Sequence, residues 1–239
     1  MVSAFSAVIS AAALGLMTEF GVAGEYQRLI ADLDGDKKPE TVVVSAAGSG
    51  DFHSFTVRIG AATYAGKFFA VGGDLPQLRI IGIDRQSPLR QLLVTTLEAA
   101  WCNYHVLAYS GGKLIPLLQF KSDADCVAPQ PRGNGTLLVS TWEGFWRREK
   151  TYRLDSSGTR LTAVPQQIYD VGVSGVAVKD FVLDPENCEK KKLTAGDFVR
   201  VERFDSTKHR YLLKAFGGAC GWIKEDKLND YLGELPWAG

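Results

Sequence analysis

No charge of either sign predominates in this chain, in which 27 lysines and arginines face 27 aspartates and glutamates. That balance removes the global attraction that draws proteins to nucleic acid or to anionic membranes. Histidine is scarce, with three residues in the whole chain. No His-Glu-x-x-His, Gly-x-Ser-x-Gly or P-loop motif occurs, so the recognisable signatures of zinc hydrolases, serine hydrolases and P-loop nucleotide binding are missing. No Cys-x-x-Cys pair points to zinc or to redox exchange. Long apolar runs are also missing, the one approach being Ala4 to Met17, which is too short to span a bilayer comfortably.

What is present describes an ordinary globular chain, with 46% hydrophobic and 23% charged residues over 239 positions, enough for one large domain or two small ones. The Ala4–Met17 run reads as the core of a signal peptide, and Gly21 and Ala23 suit cleavage before Gly24. It departs from that pattern in having no Lys or Arg before Arg28; the alternative is a buried helix. No cysteine follows the run to carry a lipid anchor. Cys102, Cys126, Cys188 and Cys220 form an even, widely spaced set, as exported proteins use for disulfides. Three pairings are possible. Proximity favours Cys102–Cys126 and Cys188–Cys220, with four buried thiols as the alternative.

From residue 26 onward, strand signals dominate: Thr41–Val44, Phe55–Ile59, Leu92–Val94, His105–Tyr109, Leu137–Val139 and Lys150–Leu154. Turns are readable at Ser110-Gly111-Gly112 and Asp155-Ser156-Ser157-Gly158. The segment starting at Leu33 aligns with that starting at Ile83, and a fainter third copy contains Leu137. Each copy is a polar loop feeding a buried strand and one or two hairpin strands, a blade-like unit. The expected organisation is a signal peptide over 1–23, a blade domain over 24–175, a linker over 176–187, a small barrel over 188–232 and a tail over 233–239.

In Asp32-Leu33-Asp34-Gly35-Asp36-Lys37-Lys38-Pro39-Glu40, carboxylates stand at alternate positions and the Lys38 carbonyl falls between the last two. Calcium takes six to eight hard oxygens, which a tightly turning loop with ligands at odd positions can supply. Zinc does not fit, since no His or Cys is near, and magnesium would keep more waters. The alternative is a solvated polar turn, made less comfortable by repulsion among four carboxylates. The run resembles the calcium loops of FG-GAP and VCBS repeats, the units of integrin-type β-propellers, including the proline before the acidic ligand. That resemblance implies a structural calcium ion on Asp32, Asp34, Asp36, Lys38 and Glu40, stapling blades together. Lys37 departs from it, standing where glycine normally supplies a positive φ. The second copy keeps only Asp84 of the acidic set. Only about three blades are readable, fewer than a closed propeller needs.

Toward the C-terminus, Leu193-x-x-Gly196-Asp197, the alternating run Phe198–Arg203, a strand near Tyr211–Ala215, and Gly221-Trp222-Ile223 followed by Leu228 predict a small barrel around Val199, Val201, Leu212 and Ile223. These residues resemble the bacterial Src-homology-3-like domain of exported proteins, which implies a peptide or cell-wall ligand. Phe204, Tyr211, Phe216 and Trp222 are the candidate ligand-binding aromatics. The fold expected is therefore all-β, with incomplete propeller-like blades followed by a Src-homology-3-like barrel.

Catalytic options are thin. Cys126 is the best cysteine nucleophile, with His53, His105 or His209 as base, but pairing with Cys102 competes and is favoured. His105 lies in an apolar strand and reads as a packed residue. Glu98, Asp123, Asp125 and Glu143, beside Trp101, Trp142 and Trp146, keep carboxylate-based sugar hydrolysis open. The reading is an exported noncatalytic binding module, periplasmic or extracellular, with one calcium ion and a protein, peptide or cell-wall glycan partner. It expects no nucleic acid and no integral membrane span after processing. The alternative is a cell-envelope hydrolase or its accessory subunit.

Overall fold

The computed structural model describes residues 24–49, 51–69, 75–98, 101–122, 125–185 and 192–236. The signal-like segment 1–23, Asp123 and Cys188 lie outside them. The chain is all-β, with blade-like sheets followed by a curled half-barrel sheet.

Three four-stranded sheets come first. Strands β1 (Gly24–Ala31), β2 (Glu40–Ser49), β3 (Phe52–Ile59) and β4 (Ala62–Phe69) pair in chain order, each antiparallel to the next. Strands β5 (Gln77–Ile81), β6 (Gln91–Glu98), β7 (Trp101–Ser110) and β8 (Lys113–Lys121) repeat the arrangement. So do β9 (Gln130–Pro131), β10 (Thr136–Trp142), β11 (Arg147–Leu154) and β12 (Leu161–Ala163). In each sheet the polar segment singled out in the sequence joins the first strand to the second. Gly111 and Gly112, both at positive φ, close the β7–β8 hairpin, as the twist of a two-residue turn requires.

Burial explains the sequence pattern. In β3, Phe55, Val57 and Ile59 point into the core while Thr56 and Arg58 are more open, the alternation of a strand buried on one face. In β6, Leu92, Leu93 and Val94 are all buried, because this sheet is covered on both faces. Leu92 and Val94 pack with Val42, Val44, Phe55 and Phe68 of the first sheet, and Leu93 packs with Leu137 and Val139 of the third. Each such side chain contributes about 1.5–3 kcal/mol on burial. The second interface also holds the Cys102–Cys126 disulfide, with the Tyr104 hydroxyl donating to the Cys126 carbonyl at 2.6 Å. A disulfide fits a protein that matures outside a reducing cytosol.

The C-terminal sheet begins with β13 (Ile168–Ala177). After β14 (Phe181–Val182), β15 (Asp184–Pro185) and β16 (Lys192–Leu193) come β17 (Phe198–Asp205), β18 (Arg210–Ala215) and β19 (Cys220–Lys224). A short helix α1 (Leu228–Tyr231) leads into β20 (Leu232–Gly233). The strand order is β15-β19-β18-β17-β13-β20, with β14 and β16 forming a separate pair. Register shifts in the β13–β17 and β17–β18 pairings coil the sheet. Hydrogen bonding thus joins Ile168–Ala177, Asp184–Pro185 and Leu232–Gly233 to this sheet, across the blade, linker and tail divisions expected from the sequence.

The third blade plugs into this sheet's core. Phe145 and Trp146, from the β10–β11 hairpin, are buried among Tyr169, Phe204 and Tyr211, and the Trp146 indole N–H donates to the Tyr211 hydroxyl at 3.3 Å. Among the described residues no helix is long and apolar enough to cross a membrane.

Candidate metal centre

The loop between β1 and β2 is folded on its own carboxylates. Asp32 accepts the Gly35 N–H on Oδ1 at 2.7 Å and the Lys37 N–H on Oδ2 at 2.9 Å. Asp34 accepts from Asp36 N–H at 3.2 Å, and Asp36 from Lys38 N–H at 2.7 Å. Glu40 reaches back to the Leu33 N–H at 2.8 Å, closing the loop while Leu33 itself anchors in the core. These are the local aspartate turns that short acidic side chains favour. Two residues take the left-handed conformation, Gly35 at φ 79° and Lys37 at φ 68°. Lys37 therefore adopts the conformation that glycine supplies more readily, at a cost of about 1–2 kcal/mol. Gly35 is required twice over, since a Cβ there would also lie 2.8 Å from Cγ of Pro88 in the next sheet's loop.

This fold gathers one carboxylate oxygen from each of Asp32, Asp34 and Glu40 within 4.8 Å of one another, all three side chains half-buried. The donors are hard oxygens, suited to calcium and unsuited to zinc. Asp36 is not in this group; its carboxylate turns to Lys38, whose Nζ lies 3.9 Å away. Three of the four expected acidic ligands thus converge.

The corresponding loop of the second sheet keeps the frame without the charge. Ile83 N–H donates to Gln91 Oε1 at 3.2 Å, the counterpart of the Leu33–Glu40 bond with a neutral amide as acceptor. Asp84 accepts the Gln86 N–H. The three loops also dock in series: Arg90 N–H donates to the Leu33 carbonyl at 2.9 Å, and Gly135 N–H to the Ile83 carbonyl at 3.1 Å. Sequence alignment did not reveal these bonds, which run between copies.

The expected aromatic ligand set does not form one open surface. Phe204 and Tyr211 are buried with ring centroids 4.7 Å apart, because the Trp146 plug covers them. Burial pushes the Tyr211 phenol up to about 12, against the lowering effect of its bond from Trp146. Trp222 is buried beneath the Arg210 guanidinium, 4.2 Å from its ring, and borders a cleft of about 310 Å³ with Phe181, Lys224 and Tyr231. Phe216 alone is open, at 85% exposure.

The catalytic alternatives separate as well. Cys126 is disulfide-bonded and offers no thiolate. Glu98 accepts the Phe69 N–H and lies 3.7 Å from Lys121, Asp125 pairs with Arg147, and Glu143 meets Arg148 and Lys150. These carboxylates serve different cations in different places. His105 is 2% exposed between the first two sheets; its Nδ1 shares a 2.8 Å hydrogen bond with the Tyr64 hydroxyl, and Nε2 has no partner among the described residues. Cys220 is also in a disulfide, whose other half lies outside the described residues. No protein family and no curated protein matches the chain.

Proposed function

We propose that the protein is an exported, noncatalytic binding module, periplasmic or extracellular, in which Asp32, Asp34 and Glu40 hold one structural calcium ion. The observation that carries the calcium reading is the convergence of those three carboxylates in a loop held by its own backbone N–H groups. The Lys38 carbonyl completes the set that the resemblance to FG-GAP and VCBS loops implies, and water fills the remaining positions that calcium requires. The ion offsets the repulsion among the carboxylates and braces a loop on which the second sheet docks through Arg90 and Pro88. The C-terminal sheet, which resembles Src-homology-3-like domains in sequence, is the part that meets a cell-envelope, peptide or protein ligand.

Calorimetric titration of the chain beginning at Gly24 with calcium tests this reading, together with thermal melting in calcium and in chelator. Saturable binding of one ion per chain is expected, abolished by Asp34→Ala. The midpoint should rise by about 5–10 °C at calcium a hundredfold above Kd. Absence of both heat and melting shift would reduce the loop to a polar turn.

A further inference from the structure

One end of the C-terminal sheet carries apolar side chains in the open. Phe198 opens β17 and Phe216 follows β18; they are cross-strand neighbours, with Phe216 N–H donating to the Phe198 carbonyl at 3.3 Å. They are 64% and 85% exposed. Val176 pairs with Phe198 across β13, and Val178, two residues on, is 56% exposed at the same end. Gly217 and Gly218 turn the chain immediately beyond Phe216, so the tip has no side chain to shield it.

Cations stand directly behind this tip. Arg200 and Lys214 face each other on the same outer face, two residues inboard of the phenylalanines, or about 7 Å along the strands. Both are exposed and neither makes an ion pair among the described residues. The carboxylate of Asp197, next to Phe198, turns back to accept the Thr194 N–H at 2.7 Å, and the Arg200 guanidinium reaches inboard over Gly172 into a cleft that it shares with Asp170 and Glu202. We propose that this end of the sheet docks on an anionic lipid surface, the phenylalanines entering the acyl boundary and Arg200 and Lys214 meeting phosphates.

The spacing matches an interface in which apolar groups sink about 5–10 Å and cations stay at headgroup level. At the patch itself β17 and β18 are inner strands and β13 is covered by β20 through Val176 and Ala177, so a peptide cannot add here as a strand. The chain's neutral total charge does not oppose docking, since the attraction acts within a Debye length of the membrane. This inference rests on the binding-module reading only in assigning recognition to the C-terminal sheet; it does not require the calcium loop.

Flotation with vesicles of phosphatidylcholine alone, and with about 30% phosphatidylglycerol, tests the proposal when done in chelator so that calcium plays no part. The chain is expected to float with anionic vesicles and to be released by salt. Both Phe198→Ser/Phe216→Ser and Arg200→Glu/Lys214→Glu should weaken partitioning by about tenfold or more while keeping the parent melting midpoint. No flotation, equal flotation on neutral vesicles, or unchanged binding by either variant would overturn it. So would light scattering that shows a dimer lost in the phenylalanine variant, which would assign the face to a second copy. Failure here leaves the calcium titration standing, and the reverse holds.

Discussion

His105 shows how a single side chain can give a β-rich protein its acid sensitivity. Burial lowers its pKa below the ordinary 6.5, with Glu98 pulling the other way. The folded state therefore refuses a proton that the unfolded chain accepts. Above 6.5 both states are neutral and the full contribution is present; as pH falls through 6.5 toward the folded value, stability drops by up to about 1.4 kcal/mol per unit. Phe55, packed edge-on at 5.1 Å, and Tyr64 offer no anion to compensate. Urea midpoints at pH 7.5 and 5.5 should thus converge between the parent and His105→Gln, whose amide does not titrate. A difference that stays constant over that range would refute this assignment. The strained Lys37 makes the opposite kind of prediction: Lys37→Gly should stabilise the loop by about 0.5–1 kcal/mol and lower the Kd of the calcium binding proposed for it. Gly35→Ala should cost about 1–3 kcal/mol, read from chemical denaturation.

At the level of elements, the disulfide and the loops do different work. Cys102 and Cys126 are 24 residues apart, and opening that loop by Cys102→Ala/Cys126→Ala should lower stability by about 3 kcal/mol, measured under oxidising conditions against the parent. The acidic loop was legible in the sequence because the side-chain hydrogen bonds that fold it run between residues from Asp32 to Glu40, and the blade strands were legible because alternation reports burial directly. Other features depended on partners far along the chain. β13 pairs with β17, some thirty residues on, and Gly172 and Gly175 interrupt the alternation that would have marked it. Phe204 and Tyr211 looked available because nothing near them in sequence announces Trp146, which fills the space beside them. The exposed pairing of Phe198 with Phe216 likewise needs strand register, which composition does not carry.

At the scale of the molecule, the Trp146 plug decides whether the blades and the C-terminal sheet unfold together. Trp146→Ala removes a side chain buried against Tyr169, Phe204 and Tyr211, at a cost of about 3–5 kcal/mol. Calorimetric scans should show one transition in the parent and two in the variant, the C-terminal sheet melting first. A single transition shifted to lower temperature would mean that other contacts couple the two parts.

The bonds from Arg90 to Leu33 and from Gly135 to Ile83 also bear on how such a chain can lengthen over evolutionary time. Each joint is made by main-chain atoms, so it survives divergence of the side chains around it. A duplicated segment the length of one sheet, spliced between the first and second, would meet a ready socket on either side and inherit a working seam at once. Past the third sheet the rule changes, for there the carbonyl of Gly133, which stands where Leu33 and Ile83 do, already accepts the Arg85 N–H of the preceding loop at 3.0 Å, and the aromatic plug follows. The row is open to insertion within, and closed to extension at the end that carries the plug.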